Sequence, residues 1–137
     1  MDPNISFDPN KLSEDEKNAI LNKIESNSAA SDCSNCIIWT KKAQKNGYPQ
    51  MKLTTKIAAK FGNPDRPFNP ASILVSLNTD IILYKNTHTR LSHLCHNKFC
   101  VNIDHLVMEP LATNIQRNGC RDNNFCTGHS NSPNCQL

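Results

Sequence analysis

The chain has 137 residues and a net charge of +3, which is the size of one domain with at most a short appendage. Apolar residues make up only 37% of it, below the ~45–50% usual for globular proteins, so a large hydrophobic core cannot be its only source of stability. No apolar run reaches the ~18–20 residues of a membrane-spanning helix, and the polar start lacks the pattern of a secretory signal. We therefore expect an intracellular protein that is neither secreted nor held in a membrane.

Charge is unevenly distributed along the chain. Residues 1–32 contain three basic and seven acidic residues, whereas residues 33–137 contain twelve basic and five acidic ones. We therefore divide the sequence into an acidic N-terminal arm and helix, 1–32, and a basic domain, 33–137. A basic domain favours a polyanionic partner such as nucleic acid, although ordinary soluble domains also carry such an excess. The acidic helix is expected to pack on the domain; the alternative is that it covers the basic face as a mimic of DNA.

The elements predicted in the first half of the chain are short. Ser13 and Glu16 form a capping box, which predicts the start of a helix. The Asn46-Gly47 pair is typical of a hairpin turn and is placed between two strands of a β-ribbon, at 36–40 and 48–53. In chain order, the pattern predicts a helix, a linker, the ribbon and two further helices at residues 14–26, 27–32, 36–53, 56–61 and 71–77.

The second half is predicted to contain two strands and a final helix. Strands at 81–84 and 89–94 are expected to pair as a hairpin. Pro110 is suited to the first turn of a helix, which we expect to span 111–118 and to end at Gly119. A polar tail follows this helix.

Cysteine and histidine are the residues best placed to compensate for the small apolar content. Nine of the twelve lie between positions 93 and 135. An odd number of cysteines in an intracellular chain disfavours disulfides and favours metal binding. Zinc takes four tetrahedral ligands, usually Cys thiolates and neutral His.

The spacing predicts two structural zinc sites. A complete Cys3His set lies within 16 residues: Cys120, Cys126, His129 and Cys135. A second set supplies three ligands: Cys95, Cys100 and His105. Its fourth ligand must come from upstream, and either Cys36 or Cys33 can provide it. Zinc binding would then contribute directly to the free energy of folding.

His93 is not needed in either set. It ends a predicted strand two residues before Cys95, and Asn114 lies on the predicted last helix, beyond the first zinc loop. A histidine can accept a proton from water that attacks a phosphodiester, and an amide oxygen suits a hard ion such as Mg²⁺. A strand ending in His, a zinc loop and a helix with Asn is the order found in ββα-metal nuclease sites.

This region resembles the His-Cys box homing endonucleases, which belong to the His-Me finger (ββα-Me, HNH-like) superfamily. The residues that carry the resemblance are Ser92-His93-Leu94-Cys95-His96-Asn97, Cys100, Asn102, His105-Leu106 and Asn114. The downstream quartet, residues 120–135, is similar to the second zinc loop of that family. The resemblance covers about residues 90–135 and implies an α+β fold: a small zinc-stapled ββα-metal domain with an N-terminal β-ribbon, short helices and little hydrophobic core.

The resemblance also implies roles for individual residues. It makes His93 the general base and Asn114 the ligand of a catalytic Mg²⁺ or other divalent ion, and it gives Cys36 to the first zinc site. The family uses a basic residue on the ribbon, usually Arg, to stabilise the cleaved phosphate. Here the matching stretch offers Gln50 or Lys52, and Lys52 would supply the charge without the bidentate geometry of Arg.

Two further arginines, Arg117 and Arg121, are expected either to contact phosphates or to be solvated. The implied function is a Mg²⁺-dependent endonuclease that hydrolyses a phosphodiester of double-stranded DNA in the nucleus. Homing members dimerise through chain beyond the second zinc loop, and this sequence ends two residues after Cys135, so a homodimer by that route is not expected. The alternatives are a domesticated zinc module that binds nucleic acid with weak or no cleavage, and a zinc-stapled protein-interaction domain.

Overall fold

The computed structural model describes residues 4–31, 35–41, 43, 47–62, 65–85, 87–129 and 131–136. These residues form four α-helices: α1 Glu14–Ser26, α2 Thr55–Ala58, α3 Pro70–Thr79 and α4 Leu111–Asn123. They also form six strands: β1 Ile5–Phe7, β2 Ser28–Ala30, β3 Ile37–Trp39, β4 Leu83–Tyr84, β5 Thr89–His93 and β6 Leu106–Pro110. The strands pair into three two-stranded antiparallel sheets, β1–β4, β2–β3 and β5–β6. Within the described ranges, every helix is too short or too polar to cross a membrane.

Helix α1 begins at the predicted capping box. The Ser13 hydroxyl accepts a hydrogen bond from the Glu16 amide at 3.1 Å, and the Glu16 carboxylate accepts one from the Ser13 amide at 2.9 Å. The helix buries Ile20 and Ile24 and packs against α3. The predicted helix and its packing on the rest of the chain are therefore confirmed.

Apolar side chains from β1, from the turn after α2 and from the segment before α3 meet in one cluster. The rings of Phe7, Phe61 and Phe68 lie with centroids 5.0 to 6.5 Å apart, in tilted and edge-to-face arrangements. Helix α3 adds Ile73 and Val75, both almost fully buried. Burial of each such side chain contributes about 1.5–3 kcal/mol to folding.

The N-terminal β-ribbon is made by different strands from those predicted. Strand β3 pairs with β2, in the stretch expected to be a linker, and its other edge is joined to the zinc loop through a bridge between Ile38 and Cys100. Residues 48–53 do not form the return strand, and a single bridge joins Ala43 to Pro49; Asn46 of the predicted turn lies outside the described residues. Strands β2 and β3 are consecutive in the chain and separated by only six residues, and consecutive strands commonly pair.

The predicted hairpin between 81–84 and 89–94 is wrong. Strand β4 pairs with β1, which places Leu83 opposite Phe7 and adds it to the apolar cluster. Strand β5 pairs with β6 over five residues, from Thr89 opposite Pro110 to His93 opposite Leu106. This longer ladder satisfies more backbone groups than a hairpin with the two-residue β4.

Helix α4 is longer than predicted, because Gly119 lies inside it rather than at its end. Glycine in a helix interior costs about 1 kcal/mol relative to alanine, and the burial of Arg117 and Cys120 on this helix offsets that cost. The helix ends where Asn124 adopts a left-handed conformation with φ of 53° and its amide bonds to the last carbonyls. Cys120 is therefore presented by a helix and not by a loop.

Candidate functional site

The first Cys3His cluster joins three segments of the chain. Its ligand atoms all lie within 4.8 Å of one another and belong to Cys36, Cys95, Cys100 and His105. Nδ1 of His105 is 3.6 Å from Sγ of Cys36 and 3.5 Å from Sγ of Cys100. Zinc bound tetrahedrally by sulfur and nitrogen places such pairs about 3.5 Å apart. The geometry of the donors therefore fits a structural zinc ion; the alternative ligand Cys33 lies outside the described residues.

Each segment reaches this cluster through its secondary structure. Cys36 directly precedes β3, and the amide of Val101 donates a hydrogen bond to the carbonyl of Ile37 at 2.6 Å, which holds the strand beside the loop. His105 ends a single 3-10 turn, Ile103–His105, which leads into β6 and is capped by the preceding residue, Asn102. The cluster thus fixes the β5–β6 connection to the N-terminal ribbon.

The second Cys3His cluster closes the end of α4. Its members are Cys120, Cys126, His129 and Cys135, and their ligand atoms also lie within 4.8 Å of one another. Nε2 of His129 is 3.6, 3.4 and 3.6 Å from the sulfurs of Cys120, Cys126 and Cys135. On the other side of the ring, Nδ1 lies 3.2 Å from the side-chain oxygen of Gln116, which fixes Nε2 as the nitrogen that faces the sulfurs.

Local hydrogen bonds favour the thiolate form of one ligand in this second cluster. Backbone N–H groups of Cys135 and Gly128 lower the pKa of the Cys126 thiol, so that the thiolate is favoured. The amide of Gln136 donates to the carbonyl of Leu94 at 2.7 Å and ties the tail back to the end of β5. The two clusters together fit two structural zinc ions, as the cysteine spacing predicts.

Between the two clusters lies a ββα unit made of β5, β6 and α4. Helix α4 packs against both strands. The strands bring the first cluster to one end of the unit, and the helix carries the second cluster at its C-terminal end. This arrangement agrees with the predicted zinc-stapled ββα-metal fold.

His93 and Asn114 line the same cleft, which has a volume of about 680 Å³. His93 is the last residue of β5, and Asn114 lies in the first turns of α4. The side-chain Nδ2 of Asn114 donates to the carbonyl of Leu91 at 3.2 Å and to Oγ of Ser92 at 2.7 Å. Among the described residues, Nε2 of His93 is buried and has no hydrogen-bond partner. Burial lowers the pKa of His93 below its ordinary value, against an opposing effect of Cys100.

The cations at this cleft agree only in part with those predicted, because Arg121 is among them and Lys52 is not. Lys98 and Arg121 line it and are exposed, and the Lys98 ammonium lies 5.3 Å from the centre of the Tyr48 ring. Lys52 and Gln50 line a separate groove instead. Sequence reasoning missed Lys98, because a lysine inside a zinc loop carries no pattern that distinguishes it from a solvated one.

Arg117 is buried rather than phosphate-facing or solvated, which corrects both expectations for it. Its guanidinium donates to the Glu109 carboxylate from Nε at 2.6 Å and from Nη2 at 2.8 Å. The two side chains are 3% and 1% exposed. Burial raises the pKa of Glu109, but hydrogen bonds from Arg117 and Ser92 outweigh it and hold the pKa below its ordinary value. The only sequence signal for this buried ion pair is an acidic residue inside an apolar strand.

A family model described as the zinc-binding loop region of homing endonuclease matches residues 35–136. Searches of curated proteins and of solved structures gave no match. The matched region includes both Cys3His clusters, the ββα unit and the cleft between them. Such a family indicates a nuclease or a nucleic-acid-binding protein, and the predicted resemblance to the His-Cys box homing endonucleases is confirmed. The chain belongs to the family defined by the zinc-binding loop region of homing endonucleases.

Proposed function

We propose that this protein is a Mg²⁺-dependent endonuclease that hydrolyses a phosphodiester of double-stranded DNA. The observation that carries the proposal is the position of His93 and Asn114 on one cleft, between two zinc clusters that fix the strand and the helix bearing them. Membership of a homing-endonuclease family supports a nuclease rather than another hydrolase.

His93 is the general base of the proposed reaction. It borders the cleft at the end of β5, and a hydrogen bond with the Cys100 backbone engages one ring nitrogen, which leaves the other available to accept a proton. A water molecule beside it would lose a proton to the ring as its oxygen attacks the phosphorus atom. The bond from phosphorus to the 3′ oxygen would break, leaving a 5′-phosphate and a 3′-hydroxyl that takes its proton from solvent. Cys95 and Cys100, in the first cluster, hold the adjoining loop and with it the ring.

Asn114 provides the metal ligand. Because its Nδ2 donates to Leu91 and Ser92, its Oδ1 is the atom left to face the cleft as an acceptor. An amide oxygen belongs to the donor type that Mg²⁺ prefers, so the residue fits the ion. Bound there together with DNA phosphate, Mg²⁺ would stabilise the negative charge that develops in the transition state.

Exposed cations beside the cleft are assigned to the DNA backbone. Lys98 and Arg121 lie on its rim, and Arg121 is on the same helix as Asn114. Phosphate contacts of this kind set the position of the duplex without reading its sequence. They are better placed than Lys52 to supply the positive charge that the resemblance assigns to the ribbon.

A second candidate function is nucleic-acid binding without cleavage. The observation that favours it is the position of Lys52 and Gln50 in a groove other than the one that holds His93. In this case the protein would bind DNA with a strong salt dependence, since phosphate contacts release counterions. It would need no Mg²⁺ beyond its zinc ions.

The test is nicking of supercoiled plasmid by zinc-loaded protein, with and without Mg²⁺. We expect Mg²⁺-dependent nicking that falls by about 10²- to 10⁴-fold in His93→Ala and in Asn114→Ala, because each loses a group that acts in the transition state. His88→Ala is the matched control, since His88 is exposed and its side chain does not line the cleft, and this variant should nick as the wild type does. Equal nicking by His93→Ala would contradict the proposal, and salt-sensitive binding without nicking would favour the second candidate.

A further inference from the structure

A hydrogen-bonded series of buried polar side chains runs from the second zinc loop to Asn114. Its three inner members, Ser92, Glu109 and Arg117, have 2%, 2% and 3% of their surface exposed. They come from β5, β6 and α4, the three elements of the ββα unit. None of the three is among the ligands of the two zinc clusters.

The direction of each hydrogen bond in this series is determined by Glu109. Its carboxylate accepts from Arg117 at both oxygens, from the Ser132 hydroxyl at 3.0 Å and from the Ser92 hydroxyl. A carboxylate has no proton to donate, so the single proton of the Ser92 hydroxyl must point to Glu109. Oγ of Ser92 is then available only as an acceptor toward its other neighbour.

That neighbour is the side-chain amide of Asn114. Its Nδ2 lies 2.7 Å from Oγ of Ser92 and 3.2 Å from the carbonyl of Leu91, which is a second acceptor. Two acceptors on one side of the amide exclude the flipped orientation, in which Oδ1 would face two electron-rich oxygens. Asn114 is thereby held with its oxygen turned away from β5.

The other end of this hydrogen-bonded series is anchored to the second zinc loop. Nη1 of Arg117 donates to Sγ of Cys135 at 3.3 Å, and Nη2 also donates to the carbonyl of Pro133 at 2.8 Å. Since Ser92, Glu109 and Arg117 are removed from water, the hydrogen bonds that Glu109 accepts from the other two are stronger than at the surface and fix their orientation. A buried ion pair contributes little net stability, because desolvation opposes the attraction, but it does define donor and acceptor directions.

We propose that Ser92, Glu109 and Arg117 are positioning residues that orient the Asn114 amide so that Oδ1, and not Nδ2, is offered to the metal ion. This inference rests on the proposed function, in which Asn114 is a metal ligand. It adds three residues that act through Asn114 rather than as metal ligands, and that determine how well the ion is held.

Ser92→Ala and Ser132→Ala form a matched pair of tests. Each removes one hydroxyl that donates to Glu109, but only Ser92 also accepts from Asn114. In Ser92→Ala we expect the side-chain amide protons of Asn114, observed by NMR in the zinc-loaded protein, to shift upfield and to exchange faster with water. We also expect less selective broadening of these signals by Mn²⁺, and a Mg²⁺ concentration for half-maximal nicking raised about 10- to 100-fold, with the KM for DNA unchanged.

Ser132→Ala should leave the Asn114 signals and the Mg²⁺ requirement as in the wild type, and Ser92→Thr, which keeps the hydroxyl, should restore them. The inference is overturned if Ser92→Ala leaves the Asn114 amide signals and the effect of Mn²⁺ unchanged, or if Ser132→Ala moves them equally. Failure of the proposed function has a different signature: Asn114→Ala nicks as the wild type does, and Mn²⁺ does not broaden the Asn114 signals of the wild type at all.

Discussion

The two halves of the molecule are stabilised by different interactions. Of the seventeen described residues that form the hydrophobic cluster, fifteen lie at or before Leu83, and the other two are Val101 and Leu106. The ββα unit from β5 onward instead contains seven of the eight residues of the two Cys3His clusters, and it buries the Glu109–Arg117 pair. Apolar packing thus supports the first half, whereas the second half depends on metal ligands and directed hydrogen bonds. The candidate active site lies in the second half, where metal ligands and hydrogen bonds, which are directional, set the positions of side chains more than apolar packing does.

Zinc removal tests this contrast with the largest expected effect. Structural zinc contributes about 10–16 kcal/mol in zinc-finger peptides, so a chelator should unfold β5, β6 and α4 while α1 and α3 stay protected. Amide hydrogen exchange, with and without chelator, measures this region by region. Equal loss of protection in α3 and in α4 would show that the two halves are not separately stabilised.

Truncation of a side chain in the apolar cluster should lower the stability of the first half and leave zinc binding in the second half unchanged. Phe68→Ala removes a ring that contacts Phe7 and Phe61, and it should lower the free energy of unfolding by about 3–5 kcal/mol. Denaturant unfolding measures the change. Because no zinc ligand is touched, the protein should still bind two zinc ions per chain, and loss of zinc from this variant would contradict the separation of the two halves.

Breaking the buried ion pair should be nearly as damaging as truncating Phe68. Glu109→Gln leaves Arg117 charged and places an amide among four donors, so unfolding should become easier by about 3–5 kcal/mol. The pKa of Glu109 is lowered in the folded protein, so its contribution is present above the unfolded pKa and is lost as the pH falls through the folded value.

The difference in free energy of unfolding between the wild type and Glu109→Gln should therefore narrow in acid. Both proteins carry the same zinc ligands, so comparing them at each pH cancels the acid release of zinc. A gap that widens as the pH falls would show that Glu109 is not held as a carboxylate.

The smallest expected effect concerns the cap of α1. Ser13→Ala removes one side of the capping box and should cost about 1 kcal/mol, with no change in zinc content or in nicking. Ser26→Ala at the other end of α1 is the control, since its hydroxyl bonds only to the Asn22 carbonyl of the same helix. An effect of Ser13→Ala on nicking would mean that α1 acts on the site and does not merely pack.

Sequence reasoning succeeded where the determining pattern is local. The capping box of Ser13 and the spacing of the Cys and His ligands around each zinc loop lie within short stretches of sequence, and each has one dominant structural solution. The ligand sets were predictable for the same reason, since zinc demands four donors of a few residue types. Cys36 was reachable only as one of two choices, because its partners lie about 60 residues away.

Strand pairing and buried polar groups were beyond such reasoning. Which strand pairs with β5 depends on contacts across the whole chain, and period-two patterns do not name a partner. From the sequence, Glu109 and Arg117 would be assigned to the surface, because the ion pair that allows them to be buried forms only in the folded structure. The extension of α4 through Gly119 shows burial overriding helix propensity.

The most direct test of the central claim is single-turnover nicking by wild-type protein and by His93→Ala, at equal zinc content and across a Mg²⁺ series. The account predicts a rate that rises with Mg²⁺ and saturates in the wild type. In His93→Ala the rate should be at least about a hundredfold lower at every Mg²⁺ concentration. Mg²⁺-independent nicking, or equal rates for the two proteins, would contradict a nuclease centre built on His93 and Asn114.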